Sequence, residues 1–319
     1  MIQTVKGAIK PEEMGITMSH EHLCVDLSRV RLNDDSTFGY SDLVVNEINS
    51  AKQLGVKTFV EVSCNDMGRN VEQLVQLSDA CNVNIIASTG FYLDEYHPDE
   101  VRNATVEEIA EIFVRDLTEG IDGTSIKAGV IGEVASSKVM TESERRVLMA
   151  SAIAAKKVGC AVTTHCQNGL LGKEQASIFL QAGMDPKKVI LGHIDLSDDI
   201  DYMCELLDLG FNIAFDTIGK VSYLSDEKRA ENLKYLIENG YSNQIVLSQD
   251  ISRKSYFSNN PNYDGYTTVM KRFVPRLKTL GVKEEDINKM LISNPQRIFN
   301  ISIPGVHLHH GYHQVLAAQ

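Results

Sequence analysis

Long apolar runs, tryptophan and excess positive charge are all missing from this chain of 319 residues. No stretch of about 18 consecutive apolar residues occurs, so we expect no membrane span. The first fifteen residues also lack the apolar segment of a secretory signal. Lys and Arg number 31 against 43 Asp and Glu, giving a net charge of −12. This balance disfavours nucleic acid and anionic membranes as the main partners.

Cysteine is present but not in metal-finger or redox patterns. None of the six cysteines forms a CxxC pair, which predicts reduced thiols in a cytoplasmic protein. Hydrophobic residues make up 43% of the chain and charged residues 23%, which excludes a disordered chain. The sequence therefore predicts a folded protein with a large buried core.

Short apolar segments alternate with amphipathic ones along most of the chain, as expected for a parallel sheet with crossover helices. The predicted strands span residues 16–22, 57–63, 84–90, 128–134, 160–166, 188–194, 211–217 and 244–250. The predicted helices span 41–55, 105–120, 141–159, 226–240, 266–281 and 284–300. Eight strands with helices between them predict a (β/α)8 TIM barrel, with an open doubly wound sheet as the alternative. No glycine-rich nucleotide motif supports that alternative.

No linker divides the chain, so we expect one domain over residues 1–319, with a short tail from about residue 301. In a barrel of this type, functional side chains lie at the carboxyl ends of the strands. Six metal-binding side chains end predicted strands: His20, His22, Glu133, His165, His193 and Asp250. Residues two apart on a strand face the same side, so the first two imidazoles can reach one ion.

Four imidazoles and two carboxylates are too many ligands for one tetrahedral ion, and they suit two divalent ions, zinc or a similar metal. A carboxylate can bridge two such ions, and Glu133 is placed across the barrel mouth from the first strand. Two ions would activate a water as nucleophile, and Asp250 is the candidate general base. The competing interpretation is that these are unrelated residues that happen to end strands.

Several segments resemble the phosphotriesterase family of the amidohydrolase superfamily. They include GITMSHEHL at residues 15–23, KAGVIGEVASS, VTTHCQNG, ILGHIDLSDD and IVLSQD, in the order of that family. Further stretches such as FDTIGK and SNPQRIF are similar to the branch of the phosphotriesterase homology proteins. The resemblance covers roughly residues 3–300. It implies a (β/α)8 barrel that holds two divalent ions, usually zinc, with the six residues above as ligands.

One position departs from the common pattern of that family. Many phosphotriesterases bridge their metals with a carboxylated lysine on the fourth strand, whereas Glu133 takes the matching position here. Lys127 lies too early on the strand to replace it. Because a glutamate side chain is shorter, bridging requires the ions to lie nearer the fourth strand. Ligation of one ion alone is the other interpretation.

Cationic and aromatic residues follow the last two strands, where phosphate sites are common in this fold. Lys220, Arg253 and Tyr256 are candidates for binding an anionic group of the substrate. The alternative is that they are surface residues, or partners of nearby acids such as Asp216. Tyr92 and Tyr96 are candidates either for the pocket or for packing. Asp195 is a candidate either for a helix N-cap or for a partner that orients a metal-bound histidine. His97, before a proline, is expected to be solvated.

The combined prediction is a binuclear metal-dependent hydrolase acting on a small ester or lactone, with a phosphorylated sugar lactone as one candidate and an anionic substrate if the cationic residues bind it. The alternatives are a phosphotriesterase or other phosphoester hydrolase, a mononuclear deaminase or amidase, and a non-catalytic barrel that binds a metal or a ligand. Homo-oligomerisation stays open.

Overall fold

The computed structural model describes residues 1–302, and eight parallel strands form the wall of a barrel in it. They are β1 (Ile16–Glu21), β2 (Val56–Glu61), β3 (Asn84–Ile86 and Ser88–Thr89), β4 (Val130–Ser136), β5 (Ala161–Cys166), β6 (Val189–Leu191), β7 (Asn212–Phe215) and β8 (Ile245–Leu247). The predicted strands agree with these, and the barrel class is confirmed.

Neighbouring strands pair in chain order. One sheet runs from β1 through β2 to the first part of β3, and a second runs from the second part of β3 to β8. Between β8 and β1 the connection is made by side chains, because the Ser248 hydroxyl accepts from the His20 amide at 3.1 Å and donates to Glu21 at 2.7 Å. The wall is thereby closed at the strand ends that carry the predicted site.

Helices follow the strands on the outside of the barrel. They are α1 (Asp42–Gln53), α2 (Val71–Cys81), α3 (Val106–Thr118), α4 (Glu142–Val158), α5 (Gly172–Gln181), α6 (Ile200–Asp208), α7 (Asp226–Glu238), α8 (Val274–Thr279), α9 (Glu284–Asn288) and α10 (Asn294–Phe299), with short extra helices at Ser28–Arg31 and Asp99–Asn103. Thr105 and Thr141 begin α3 and α4 with capping boxes, as their sequences predict.

Two predicted helices are interrupted. The predicted helix 266–281 contains a π-helical segment, Val269–Phe273, before α8, and the predicted helix 284–300 contains another, Lys289–Ser293, before α10. In each case a proline, Pro275 or Pro295, stands at the start of the following α-helix. A proline cannot donate the usual backbone hydrogen bond and its ring crowds the preceding turn, so the turn ahead of it widens.

The barrel interior is filled by one layer of apolar side chains contributed by successive strands. This layer contains Val60, Ile86, Val130, Ala161, Ile190, Ala214 and Val246, with Ile2, Met14, Ile298 and Phe299 packed against it. A second, larger cluster packs the strands against the outer helices. Because the interior is filled with apolar side chains, the polar strand ends are left to form the site.

Two glycines allow β5 to approach both of its neighbours near the site. A Cβ atom on Gly132 would lie 1.9 Å from the Thr163 carbonyl oxygen, and one on Gly192 would lie 1.8 Å from that of Thr164. Gly132 also has φ +124°, a conformation that side chains rarely adopt. The residues that follow them, Glu133 and His193, are both predicted metal ligands, so these glycines set where the ligands leave the sheet.

The chain ends of the described part meet at the other face of the barrel. A hairpin pairs Ile2–Thr4 with Gly7–Ile9, and the Ile301 amide donates to the Met1 carbonyl at 2.8 Å. The predicted tail from about residue 301 lies, after Ser302, outside the described residues. Within residues 1–302, no helix has the length and apolar character needed to cross a membrane.

Candidate metal centre

The six predicted ligands converge at the carboxyl ends of the strands. They come from β1, β4 and β5 and from the turns after β6 and β8, and all six are buried: His20, His22, Glu133, His165, His193 and Asp250. The structure therefore brings together all six side chains that the sequence singled out.

Glu133 lies between the histidines of the two halves of the site. Its Oε1 atom is 3.1 Å from His22 Nε2, and its Oε2 atom is 3.2 Å from His165 Nδ1. His20 Nε2 is 3.3 Å from the same Oε2 atom. One carboxylate thus reaches imidazoles on both sides, as a bridging ligand must.

Asp250 faces the β1 side of the site. Its Oδ1 atom is 3.1 Å from His22 Nε2 and 3.6 Å from His20 Nε2. On the other side, His193 Nε2 lies 2.8 Å from His165 Nδ1. The ligands therefore divide into a group on β1 and β8 and a group on β5 and β6, with Glu133 between them.

The arrangement fits divalent cations. Two sets of side chains could each surround an ion, because the ligand atoms within each set lie within 4.8 Å of one another. One set is His20, His22 and Asp250, and the other is His20, Glu133 and His193. Neither ring nitrogen of the buried His20 makes a hydrogen bond of good geometry within the described residues, although carboxylate oxygens of Glu133 and Asp216 lie 3.3 Å from them. Buried polar atoms are normally satisfied, so an imidazole that contacts carboxylates without a well-formed hydrogen bond is the state expected of a metal ligand.

The carboxylates of the site are held in their charged form. Burial opposes ionisation of Glu133, but the neighbouring histidines, His20 foremost, bring its pKa well below its usual range. Burial likewise opposes ionisation of Asp250, and the ammonium of Lys220 lowers the pKa of this carboxyl strongly. Anionic oxygen ligands at neutral pH are what a divalent cation requires.

The pKa values of two imidazoles, those of His22 and His193, are raised instead of lowered. Burial opposes protonation of His22, yet its hydrogen bonds with Asp250 and Glu133 raise its pKa to about 10. Burial also opposes protonation of His193, but the adjacent Asp216 raises its pKa to about 9. These imidazoles must be neutral to bind metal, so uptake of ions at this site releases protons.

Residues behind the ligands fix their orientation. His193 Nδ1 is 2.8 Å from the Asp216 carboxylate, which also accepts from the His193 amide at 3.0 Å. The expectation that Asp195 performs this role is wrong, because Asp195 pairs with the buried Arg229 at 2.8 Å. Asp216 directly follows β7 and faces His193, whereas Asp195 lies in the turn beyond β6.

A second support, missed by the sequence analysis, holds His22. Its Nδ1 atom is 2.8 Å from the Ser63 hydroxyl, which in turn donates to Glu61 at 2.5 Å. Glu61 also accepts from the Leu23 amide at 3.2 Å. Glu61 is the last residue of β2 and Ser63 lies two residues beyond it, at the carboxyl end of the strand that faces the site.

Five of the six ligands, all but His20, line one pocket that is open to solvent. Lys220, Arg253 and Tyr256 all line it, as predicted. Lys220 is buried and forms an ion pair with Asp250, not with Asp216. Its ammonium lies 5.2 Å from the Tyr256 ring centre, and the Arg253 guanidinium lies 6.0 Å from it. The three residues therefore form one cationic wall (the 220/253/256 wall).

Two further residues line the pocket outside the 220/253/256 wall. Tyr92 lines the pocket, and its hydroxyl is 3.4 Å from His165 Nδ1. Arg31, which the sequence analysis missed, also lines it, and its guanidinium donates a hydrogen bond to the Ser36 hydroxyl. His97, expected to be solvated, is buried and lies 2.8 Å from both the Ser143 hydroxyl and the Tyr92 carbonyl. It supports the Tyr92 loop from behind.

Comparison with known proteins decides the family. The model of the phosphotriesterase family matches residues 1–299. This chain belongs to the phosphotriesterase family. The phosphotriesterase homology protein of Escherichia coli (strain K12) is 36% identical over 286 residues, covering 89% of this chain and 98% of the relative. The crystal structure of that protein, complexed with phosphate in its active site, superposes with a TM-score of 0.88 at 35% identity, covering 90% of this chain and 99% of the other.

Two other family relatives carry an activity in their names. The crystal structure of a lactonase from Listeria monocytogenes superposes with a TM-score of 0.89 at 26% identity, covering 94% of this chain and 99% of the other. The N-acetyltaurine hydrolase of Danio rerio is 30% identical, covering 93% of this chain and 97% of the relative. The predicted family, barrel and enzyme class, a metal-dependent hydrolase acting on ester bonds, are confirmed.

Proposed function

We propose that the protein is a binuclear metal hydrolase that cleaves a small anionic ester or lactone. The observation that carries this proposal is the position of Glu133, whose two oxygens face the β1 histidines on one side and His165 on the other, at 3.1–3.3 Å. In this proposal His20, His22 and Asp250 hold one ion, His165 and His193 hold the second, and Glu133 contacts both. Zinc is the proposed metal because nitrogen-rich, four-coordinate sites suit it.

Two ions held by this set would polarise the scissile carbonyl and lower the pKa of water at the site. The chain supplies the remaining functions. Asp250, charged and facing the pocket, accepts the proton of the attacking water through its carboxylate and delivers it to the leaving oxygen. Asp216 and the Glu61–Ser63 pair keep His193 and His22 in the orientation that binding requires.

The 220/253/256 wall is the proposed binding site for the anionic group of the substrate. Lys220 and Arg253 supply two positive charges, and the Tyr256 ring lies against both. The crystal structure of the Escherichia coli relative holds phosphate in its active site, which supports an anion in this pocket. A phosphorylated sugar lactone fits this pocket, because its ring ester would lie at the metal ligands while its phosphate would bind Lys220 and Arg253.

An amide is the second candidate substrate. The Danio rerio relative is an N-acetyltaurine hydrolase at 30% identity, so the family scaffold supports amide cleavage as well as ester cleavage. The same ligands and Asp250 would act on an amide, with the proton delivered to a leaving nitrogen instead of an oxygen. The phosphotriester alternative needs no cationic wall, because its substrates are neutral.

All six cysteines are free in the structure, and five of them are buried. Free thiols suit a reducing compartment, so the cytoplasm is the proposed location.

The deciding experiment is a hydrolysis screen of protein purified without chelator and loaded with Zn²⁺. The panel contains pentonolactones with and without a terminal phosphate, N-acetyltaurine and a neutral aryl phosphotriester. We expect the phosphorylated lactones to show the highest kcat/KM. A higher kcat/KM for N-acetyltaurine would show that the substrate is an amide and not an ester. A higher kcat/KM for the phosphotriester would show that the 220/253/256 wall does not bind a substrate anion.

A further inference from the structure

Glu21 stands in sequence between two metal-ligand candidates, His20 and His22, yet it belongs to neither group of ligand atoms. Its side chain is fully buried and turned toward the end of β8. There its Oε1 atom accepts from the Ser248 hydroxyl at 2.7 Å and from the Gln249 amide and side chain at 3.0 and 2.8 Å. Its Oε2 atom accepts from the Ile251 amide at 2.9 Å. Each carboxylate oxygen therefore holds a backbone amide next to Asp250.

The residue between these two amides has an unusual backbone. Asp250 adopts φ +49°, in the left-handed region that costs free energy for a residue with a side chain. Such a conformation persists where the surroundings hold it in place. The two amides bound by Glu21 flank Asp250 directly, so Glu21 fixes the turn that directs this side chain into the pocket.

The same device occurs on the other side of the site. His193 has φ +59°, and its amide donates to Asp216, a carboxylate at the end of the next strand, at 3.0 Å. Two candidate ligands thus share a left-handed backbone and a carboxylate on an adjacent strand that holds it. The repetition shows that the contact of Glu21 with β8 is part of how this site is built.

We propose that Glu21 is a positioning residue for Asp250, and that it acts by holding the left-handed turn after β8. The proposal rests on the proposed function through the role given to Asp250 as ligand and proton acceptor. Ser248 extends the arrangement, because its hydroxyl also accepts from the His20 amide at 3.1 Å. Glu21 therefore fixes the position of Asp250 relative to β1, the strand that carries the other ligands of the same ion.

The test measures Zn²⁺ affinity of the metal-free full chain by competition with a chromophoric chelator. It compares the parent protein, Glu21→Gln, Asp250→Asn and the double variant. The glutamine keeps the size of the side chain but places a donor or a weaker acceptor against Ile251 and Gln249. We expect Glu21→Gln to weaken binding of one ion by about 10–100-fold, the range for residues that orient ligands. In the Asp250→Asn background the same change should have an effect of about 2-fold at most, within additivity error.

Glu61→Gln is the matched control, because Glu61 is also a buried glutamate at a strand end but holds Ser63 and Leu23 beside His22. Its loss of Zn²⁺ affinity should persist in the Asp250→Asn background. Should Glu21→Gln not fold, Ser248→Ala removes one donor to Glu21 and should show the same dependence on Asp250 with a smaller loss.

Two results would overturn the proposal, and they differ in what else they overturn. In the first result, Asp250→Asn weakens Zn²⁺ binding, but Glu21→Gln lowers the affinity equally in the parent and in the Asp250→Asn background. Glu21 would then have only a general structural role, and the proposed function would stay intact. An unchanged Zn²⁺ affinity in Asp250→Asn would instead remove Asp250 from the ligand set, and both proposals would fail together.

Discussion

Lys220 forms an ion pair with Asp250, and this pair connects the metal ligands to the cationic wall of the pocket. Both side chains are buried, so neither charge is fully solvated. Lys220 therefore lies where it can contact an anionic substrate while it stabilises the charge of the proposed proton acceptor. A substrate anion at the 220/253/256 wall would compete with Asp250 for this ammonium.

The first prediction concerns metal content. Because the structure offers two sets of ligand atoms, which share His20, we expect close to two divalent ions per chain in protein purified without chelator. Elemental analysis gives this number directly, and dialysis against a chelator should remove both the ions and the activity. One ion per chain at full activity would contradict the binuclear site.

Glu133→Gln tests the bridging carboxylate. The glutamine keeps the size but removes the negative charge shared by two cations, so we expect lower metal content and a fall in activity of at least about 100-fold. Glu144→Gln is the control, because Glu144 is a buried glutamate that accepts from the Thr141 and Ser137 amides outside the ligand set. It should lower the thermal midpoint and leave metal content unchanged. Normal occupancy in Glu133→Gln would exclude a bridging role.

Asp250→Asn separates proton transfer from metal binding. An amide oxygen coordinates an ion more weakly than a carboxylate and cannot accept a proton, so with Zn²⁺ in excess, which keeps the site filled, turnover should fall by about 10²–10⁴-fold. The measurements are kcat and metal content on the same preparation. Retained turnover would assign proton transfer to another group.

Arg253→Ala tests the anion site. If Arg253 binds the substrate anion, its loss should raise KM for a phosphorylated lactone by an amount equivalent to about 1–3 kcal/mol, the range for a charged hydrogen bond, and leave the unphosphorylated lactone nearly unaffected. Lys254→Ala is the control, because the adjacent Lys254 bonds Asp34 at 2.8 Å and does not line the pocket. Equal losses on both lactones would show that the loop, not the anion contact, is damaged.

The last prediction concerns pH and stability. Burial raises the pKa of Asp66 from 3.8 to about 7. The folded state therefore binds this proton more tightly than the unfolded state, so the stability contributed by Asp66 is complete below pH 3.8 and is lost as the pH rises to about 7. The difference is on the order of 4 kcal/mol.

Asp66→Asn should resemble the parent at low pH and be more stable than it at pH 8, where the parent carries a partly buried charge. Denaturant unfolding of metal-free protein at pH 5 and pH 8 measures this difference. A variant that shows the same pH dependence as the parent would assign the effect to other groups.

The sequence by itself determined the barrel and the ligand set. Eight apolar segments with helices between them require a parallel sheet covered on its outer face, and closing that sheet brings all carboxyl strand ends to one mouth. Residues that end strands, such as His165 and Glu133, are therefore placed together by topology alone. No knowledge of side-chain conformations is needed for that step, so the sequence suffices to bring the six candidate ligands together.

Only the tertiary structure decided which residues support the ligands. Asp195 and Asp216 have the same chemistry and both lie near strand ends, but the buried Arg229 takes Asp195 away from the site and leaves Asp216 facing His193. The contact between Glu21 and Ile251 joins residues 230 positions apart. Such pairs depend on the twist and packing of the closed wall, which no local pattern in the chain encodes.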